Sequence, residues 1–184
     1  ITNDPNVLRT VFSPKVYNTI LISPSIMSFY LIPIFFILFL NKINKINFEE
    51  KYNILSTAFF IILITIITLI FDYNYRIGGG FFIKLSYLFF DNLILGSITS
   101  IIGLVLLFHL AREDNDNLIL VLILIFAFPG YFVFQKYFEP MFFFMLFLMF
   151  KSEIPKLFLK AKRSILYMYL YLGLYLTSAI INDV

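Results

Sequence analysis

Nearly every long apolar run in this chain approaches the length needed to cross a membrane, and the polar residues fall almost wholly in the gaps between runs. A helix that crosses the ~30 Å hydrocarbon layer needs about 20 residues. The chain is 61% hydrophobic and 14% charged, whereas a soluble domain carries about 25% charged residues. A soluble core of this size could not hide that apolar excess. The sequence therefore predicts an all-α, polytopic transmembrane helix bundle.

The polar gaps divide the bundle into about six predicted spans. We expect residues 1–19 to form a polar, outward N-terminal segment and residues 20–184 to form the bundle. The predicted spans lie near residues 26–40, 54–71, 92–111, 118–134, 140–150 and 165–181.

Two boundaries follow from proline and charge. The first span is expected to start after Ser23-Pro24-Ser25, because proline is favoured in the first turn of a helix. Residues 135–140 are expected to form a tight hairpin, because one crossing through this segment would place Lys136 and Glu139 in lipid. Each buried charge would cost ~2.5–3.5 kcal/mol.

The distribution of basic residues predicts the orientation. Most Lys and Arg residues fall in the loops 41–53, 112–117 and 151–163. The positive-inside rule places these loops in the cytoplasm (or matrix) and both termini outward. We expect a bacterial inner membrane, with an organellar inner membrane as the alternative. The net charge of +3 is therefore a topology signal and does not predict a nucleic-acid partner.

Residue types also limit the chemistry. The chain has no cysteine and one histidine, His109, which leaves no residues for a thiolate or haem centre, so we expect no cofactor and no metal. Gly96, Ser100 and Gly103 fall on one face of the third predicted span. Small residues let another helix approach closely, and we interpret them as a packing seam for a partner helix.

The candidate site residues lie in the predicted outward loops. Asp72 and Arg76 precede Gly78-Gly79-Gly80. Arg76 could grip an anionic head group or lipid-linked phosphate, or form an interfacial ion pair with Asp72. The glycines lack the Gly-Lys-Ser/Thr ending of a P-loop, which favours a flexible turn over a phosphate cradle.

The later outward loop contains Lys136, Tyr137 and Glu139. Lys136 and Glu139 could pair across one helical turn. Glu139 could instead cap the next helix, because the residue before a proline avoids helical dihedral angles. A carboxylate at the membrane surface could also act as a general base or bind a metal ion.

Residues 130–150, with Gln135-Lys136-Tyr137-Phe138-Glu139-Pro140 at their centre, resemble a segment near the C-terminus of multi-span GT-C glycosyltransferases. The resemblance rests on the basic residue, the Tyr-Phe pair and the proline that precedes an apolar span. It implies the membrane portion of an enzyme that uses a polyprenyl-phosphate-linked sugar on the outer face. Arg76 and Lys136 would then lie near the phosphates, and aromatic spans would line the lipid tail.

The same family has an acidic catalytic motif in its first outward loop, and this sequence has no counterpart. We therefore expect the catalytic acid outside this sequence, in a longer chain, and the catalytic residues here stay unknown. Two other functions remain open. One is a non-catalytic membrane subunit of an organellar respiratory complex. The other is a small transporter, which would need polar or ionisable groups in mid-span. The expected partners are membrane lipids and a polyprenyl-phosphate sugar.

Overall fold

A computed structural model describes residues 16–41, 50–74, 78–126, 128 and 133–182 of the chain. Within these ranges the fold is all-helical, with eight α-helices, one π-helical turn and no strand. The helices are α1 (Val16–Leu40), α2 (Glu50–Ile70), α3 (Phe81–Phe90), α4 (Ile94–Glu113), α5 (Asn115–Phe126), α6 (Gln135–Phe144), α7 (Ile154–Lys160) and α8 (Ser164–Asn182). The π-helical turn, Met145–Met149, continues α6.

Helix α1 is the core of the bundle, and most of its residues are buried. It begins at Val16 and continues through Pro24 and Pro33, so the predicted start after residue 25 is wrong. An interior proline removes one backbone donor, and α4 supplies a hydrogen bond in the same turn: the Ser100 hydroxyl donates to the Leu21 carbonyl at 2.8 Å. Of the predicted polar segment 1–19, residues 16–19 belong to α1 and residues 1–15 lie outside the described ranges.

Helices α1 and α4 run parallel and in close contact. A Cβ atom built on Gly103 would lie 2.0 Å from the Pro24 carbonyl oxygen. The Ser25 and Thr99 hydroxyls are 2.9 Å apart. Further along both helices, the rings of Phe35 and His109 are in contact. The N-terminal half of α1 thus contacts the N-terminal half of α4, and the C-terminal halves contact each other, as in a parallel pair.

The predicted small-residue seam therefore lies inside this chain. Ser100 and Gly103 contact α1, and a Cβ on Gly96 would lie 3.0 Å from Ile83 of α3. All three seam residues are buried. The helices that approach them closely are the chain's own.

The predicted hairpin at residues 135–140 is wrong, because these residues form the first half of α6. Phe138 and Phe142 are four residues apart and fully buried, so one face of this helix packs into the core. Pro140 removes the donor only for the carbonyl of Lys136, in the first turn of the helix. The predicted span 118–134 overlaps α5, and residues 127 and 129–132 of it lie outside the described part.

The end of the bundle near Leu40 is held by a buried asparagine. The Asn117 amide donates to the carbonyls of Leu110 and Lys151, at 2.9 and 3.2 Å, and accepts from the Lys151 backbone N–H at 2.9 Å. The Lys151 ammonium also pairs with Asp116 and, at 3.9 Å, with Asp114. The hydrogen bond to Asp116, followed by the charge of Asp114, raises the pKa of Lys151. These contacts fasten the end of the π-helical turn to the α4–α5 turn.

Two helices in the described part, α1 and α4, are long and apolar enough to cross a membrane. Length and composition alone are weak support, since the core helix of a soluble protein meets the same criterion. The other predicted spans at 54–71 and 165–181 overlap α2 and α8. Large apolar side chains on several helices face outward, among them Leu69, Leu148 and Leu174.

The Gly103 contact yields a test with an internal control. Gly103→Ala places a methyl group where the Pro24 carbonyl lies, so the two helices must separate, and we expect a loss of about 1–3 kcal/mol of unfolding free energy. Gly173, in the interior of α8, has no atom within 4 Å of a built Cβ. Gly173→Ala should therefore stabilise the chain by roughly 0.5–1 kcal/mol. Thermal unfolding followed by circular dichroism measures both. Equal effects of the two substitutions would contradict the close contact.

Candidate functional site

Helices α3 and α6 begin side by side, about halfway along α1. A Cβ on Gly80, just before α3, would lie 2.5 Å from the side chain of Ile26. Gln135, the first residue of α6, lies near Tyr30. The Phe81 N–H donates to the Gln135 side-chain oxygen at 2.8 Å. Gln135 therefore caps the start of α3 with its side chain and is itself the first residue of α6.

The glycine turn before α3 is buried and closely packed. Gly79 and Gly80 have φ angles of 92° and 80°, which favour glycine. The Gly79 N–H donates to the Val133 carbonyl at 2.9 Å, and the Val133 N–H donates to the Tyr73 hydroxyl at 2.8 Å. A phosphate cradle would need such N–H groups, and those of Gly79 and Phe81 already have acceptors. The structure thus shows a buried, hydrogen-bonded turn whose N–H groups are used within the fold.

Lys136 and Tyr137 lie together and exposed in the first turn of α6. The Lys136 ammonium lies 5.5 Å from the ring centroid of Phe134 and 5.3 Å from that of Tyr137. A cation over aromatic rings is stabilised by their quadrupoles. The Tyr137 ring also contacts those of Phe128 and Phe134. This small exposed platform combines one cation with three rings at a helix N-terminus.

Glu139 lies apart from that platform. It is half-buried and within electrostatic range of Tyr30 and Tyr175. Among the described residues, no ion pair within 4 Å joins Lys136 and Glu139, so the proposed pairing across one turn is not formed. Glu139 is inside α6 and therefore does not cap its start.

The earlier outward loop contributes less to the described site. Asp72 is exposed directly after α2, and its backbone carbonyl accepts a hydrogen bond from the Asn18 side chain at 2.7 Å. This contact ties the loop to the first turn of α1. Arg76 lies outside the described residues, so its predicted ion pair with Asp72 stays a prediction.

Sequence reasoning missed the buried polar pair Tyr30 and Gln135. Both lie in the core, 1% and 8% exposed. Within the described part of the chain, the Tyr30 hydroxyl and the Gln135 side-chain nitrogen have no hydrogen-bond partner. The two groups approach each other without completing a hydrogen bond of good geometry. The available signal was a glutamine directly after the apolar residues 131–134, because a buried amide needs partners.

Aromatic rings surround this pair. The Tyr30 ring stacks on Phe142 with centroids 5.4 Å apart. Phe29 contacts Phe81 at 5.4 Å and Tyr175 at 4.8 Å. The rings join α1, α3, α6 and α8 around the point where α3 and α6 begin. In the described residues, no group of three or more His, Cys, Asp or Glu side chains could hold a metal ion.

Comparison of the chain with protein-family models, with curated proteins and with solved structures gives no match. The resemblance to GT-C glycosyltransferases stays a prediction from residues 130–150.

The Gln135 cap yields the second prediction. Gln135→Leu keeps the volume but leaves the Phe81 N–H without its acceptor. An unsatisfied donor in this partly buried position costs about 1–3 kcal/mol. Removal of the unpaired Gln135 side-chain nitrogen offsets part of that loss, and the melting temperature of the purified chain should still fall. Lys136→Gln, at the adjacent exposed position, should change stability by less than about 0.5 kcal/mol. A Gln135→Leu variant as stable as the parent chain would contradict the role of Gln135 as the cap.

Proposed function

We propose that this chain is an integral membrane protein of a bacterial inner membrane, and that it forms the part of a GT-C-type glycosyltransferase that holds a polyprenyl-phosphate-linked sugar. In this proposal α1, α2, α4 and α8 cross the bilayer, and the shorter helices α3, α5 and α6 fill it from either side. The loops 41–53, 112–117 and 151–163 face the cytoplasm, and both termini face outward.

The outer surface of the bundle supports a lipid environment. Leu69, Leu148 and Leu174 are each more than 70% exposed, and they lie on α2, the π-helical turn and α8. Exposing apolar surface to water costs roughly 25 cal/mol per Å², and soluble monomers rarely show large contiguous apolar patches. Acyl chains would remove this cost.

The single observation that carries the proposed ligand is the placement of Lys136. Its ammonium is exposed beside two aromatic rings in the first turn of α6. The free N–H groups and the dipole at a helix N-terminus attract anions. The positive charge of a lysine in the first turn strengthens that attraction. A lipid phosphate would supply the anion, and the neighbouring apolar surface would contact its prenyl tail. Helix α6 begins about halfway along α1, so in this proposal Lys136 lies at mid-depth in the bilayer. An unpaired charge there costs ~2.5–3.5 kcal/mol, and a bound phosphate would offset that cost.

A second candidate, the small transporter, gains from one specific feature. Non-helical backbone at residues 78–80 and 133–134 lies about halfway along α1, where α3 and α6 begin. Broken helices that meet at mid-depth are typical of transporter binding sites. Tyr30, Gln135 and Glu139 supply the polar or ionisable groups that a transporter needs in mid-span.

Lipid binding to the purified, detergent-solubilised chain tests the proposal. We expect a polyprenyl phosphate to bind at least about tenfold more tightly than the corresponding polyprenol, because a hydrogen bond to a charged group contributes about 1.5–3 kcal/mol. Lys136→Gln should remove most of that preference. Lys84→Gln changes an exposed lysine on α3 and is the matched control, which should leave binding unchanged.

Equal affinity for the phosphate and the alcohol, or a preference that survives Lys136→Gln, would contradict the lipid-phosphate proposal. Recovery of the chain in the soluble fraction without detergent would contradict the membrane proposal itself. A substrate flux in proteoliposomes that depends on Glu139 but not on Lys136 would favour the transporter instead.

A further inference from the structure

Helix α7 and the turn after it present a basic face. Ile154, Pro155 and Phe158 are buried, and the Phe158 ring contacts Phe147. The exposed residues are basic with one leucine among them: Lys156, Leu159, Lys160, Lys162 and Arg163. The short helix is thus anchored by its apolar side and carries cations on the opposite side.

Most of these cations have no acidic neighbour. Lys156 pairs with Glu153 at 3.1 Å. Within the described part of the chain, no ion pair involves Lys160, Lys162 or Arg163. Three adjacent uncompensated charges repel one another, so this face gains stability from an external anionic partner.

The backbone at Arg163 supports a specific use of that charge. Its φ angle is 59°, in the left-handed region that L side chains rarely adopt. The turn from α7 to α8 requires this conformation, and the Arg163 carbonyl accepts from the Tyr167 N–H in the first turn of α8. Glycine would adopt it without strain. The chain has arginine at this position instead, close to Lys160 and Lys162 in the sequence.

The position of the basic face identifies its partner. Helix α8 begins at Ser164, and its next residues Ile165 and Leu166 are both 53% exposed apolar side chains. The cations therefore lie at the boundary where the exposed apolar surface of α8 starts. In a bilayer this boundary is the level of the lipid head groups, where lysine and arginine meet phosphates.

We infer that Lys156, Lys160, Lys162 and Arg163 form a docking surface for the head groups of anionic phospholipids in the cytoplasmic leaflet. The inference rests on the proposed membrane insertion and is independent of glycosyl transfer. Each basic residue near an anionic surface contributes about a fivefold gain in binding. The surface should therefore prefer phosphatidylglycerol over phosphatidylcholine by far more than tenfold.

Native mass spectrometry of the full chain in detergent tests this by counting bound lipids. We expect preferential retention of phosphatidylglycerol, which weakens as ionic strength rises. The combined variant Lys160→Gln, Lys162→Gln and Arg163→Asn should lose that preference by about a hundredfold, since three charges are removed. Asparagine tolerates the left-handed backbone at residue 163.

Two controls separate charge from folding. The charge-preserving variant Lys160→Arg, Lys162→Arg and Arg163→Lys should retain phosphatidylglycerol, and Lys84→Gln on α3 should behave as the parent chain does. Retention of phosphatidylglycerol by the neutral variant would overturn the inference. Equal retention of phosphatidylcholine by the parent chain, or tighter binding of a polyanionic oligonucleotide than of phosphatidylglycerol, would also overturn it. Loss of polyprenyl phosphate binding alone would leave this surface intact and affect the proposed function instead.

Discussion

The backbone contact between Gly103 and the Pro24 carbonyl sets the geometry of the whole bundle. No side chain other than hydrogen fits at residue 103, where a Cβ would lie 2.0 Å from that oxygen. The short distance between α1 and α4 brings the Ser25 and Thr99 hydroxyls within hydrogen-bonding distance. It also lets Ser100 reach the backbone of α1 at Leu21. The remaining helices pack around this parallel pair.

A second constraint is the need to satisfy backbone groups where helices end inside the bundle. Helices α3 and α6 begin next to the middle of α1, so their first N–H groups are remote from the ends of the bundle. The Gln135 side chain accepts from Phe81, and the Tyr73 hydroxyl accepts from Val133. These long-range contacts make the glycine turn a fixed element. The same arrangement leaves the Tyr30 hydroxyl and the Gln135 side-chain nitrogen without a hydrogen-bond partner among the described residues, and it places Lys136 on the exposed side.

The sequence predicted the parts of this fold that depend on local composition. Apolar run length located α2, α4 and α8, and residue size located the seam at Gly96, Ser100 and Gly103. Prediction failed at prolines, because Pro24 and Pro140 were interpreted as boundaries and both lie inside helices. Both helices continue through the proline, and both have buried faces that pack into the core. The role of Gln135 could not be predicted, because its partner Phe81 is 54 residues away.

The central claim is the parallel contact of α1 and α4, and the absence of cysteine from the chain makes it directly measurable. Cysteines introduced at Ser25 and Thr99, whose hydroxyl oxygens are 2.9 Å apart, should form a disulfide on mild oxidation. Cysteines at Ser25 and Leu110 are the matched control, since α1 and α4 run parallel and Leu110 lies near the far end of α4. The account predicts a cross-link in the first pair and none in the second. A cross-link in the second pair without one in the first would contradict it.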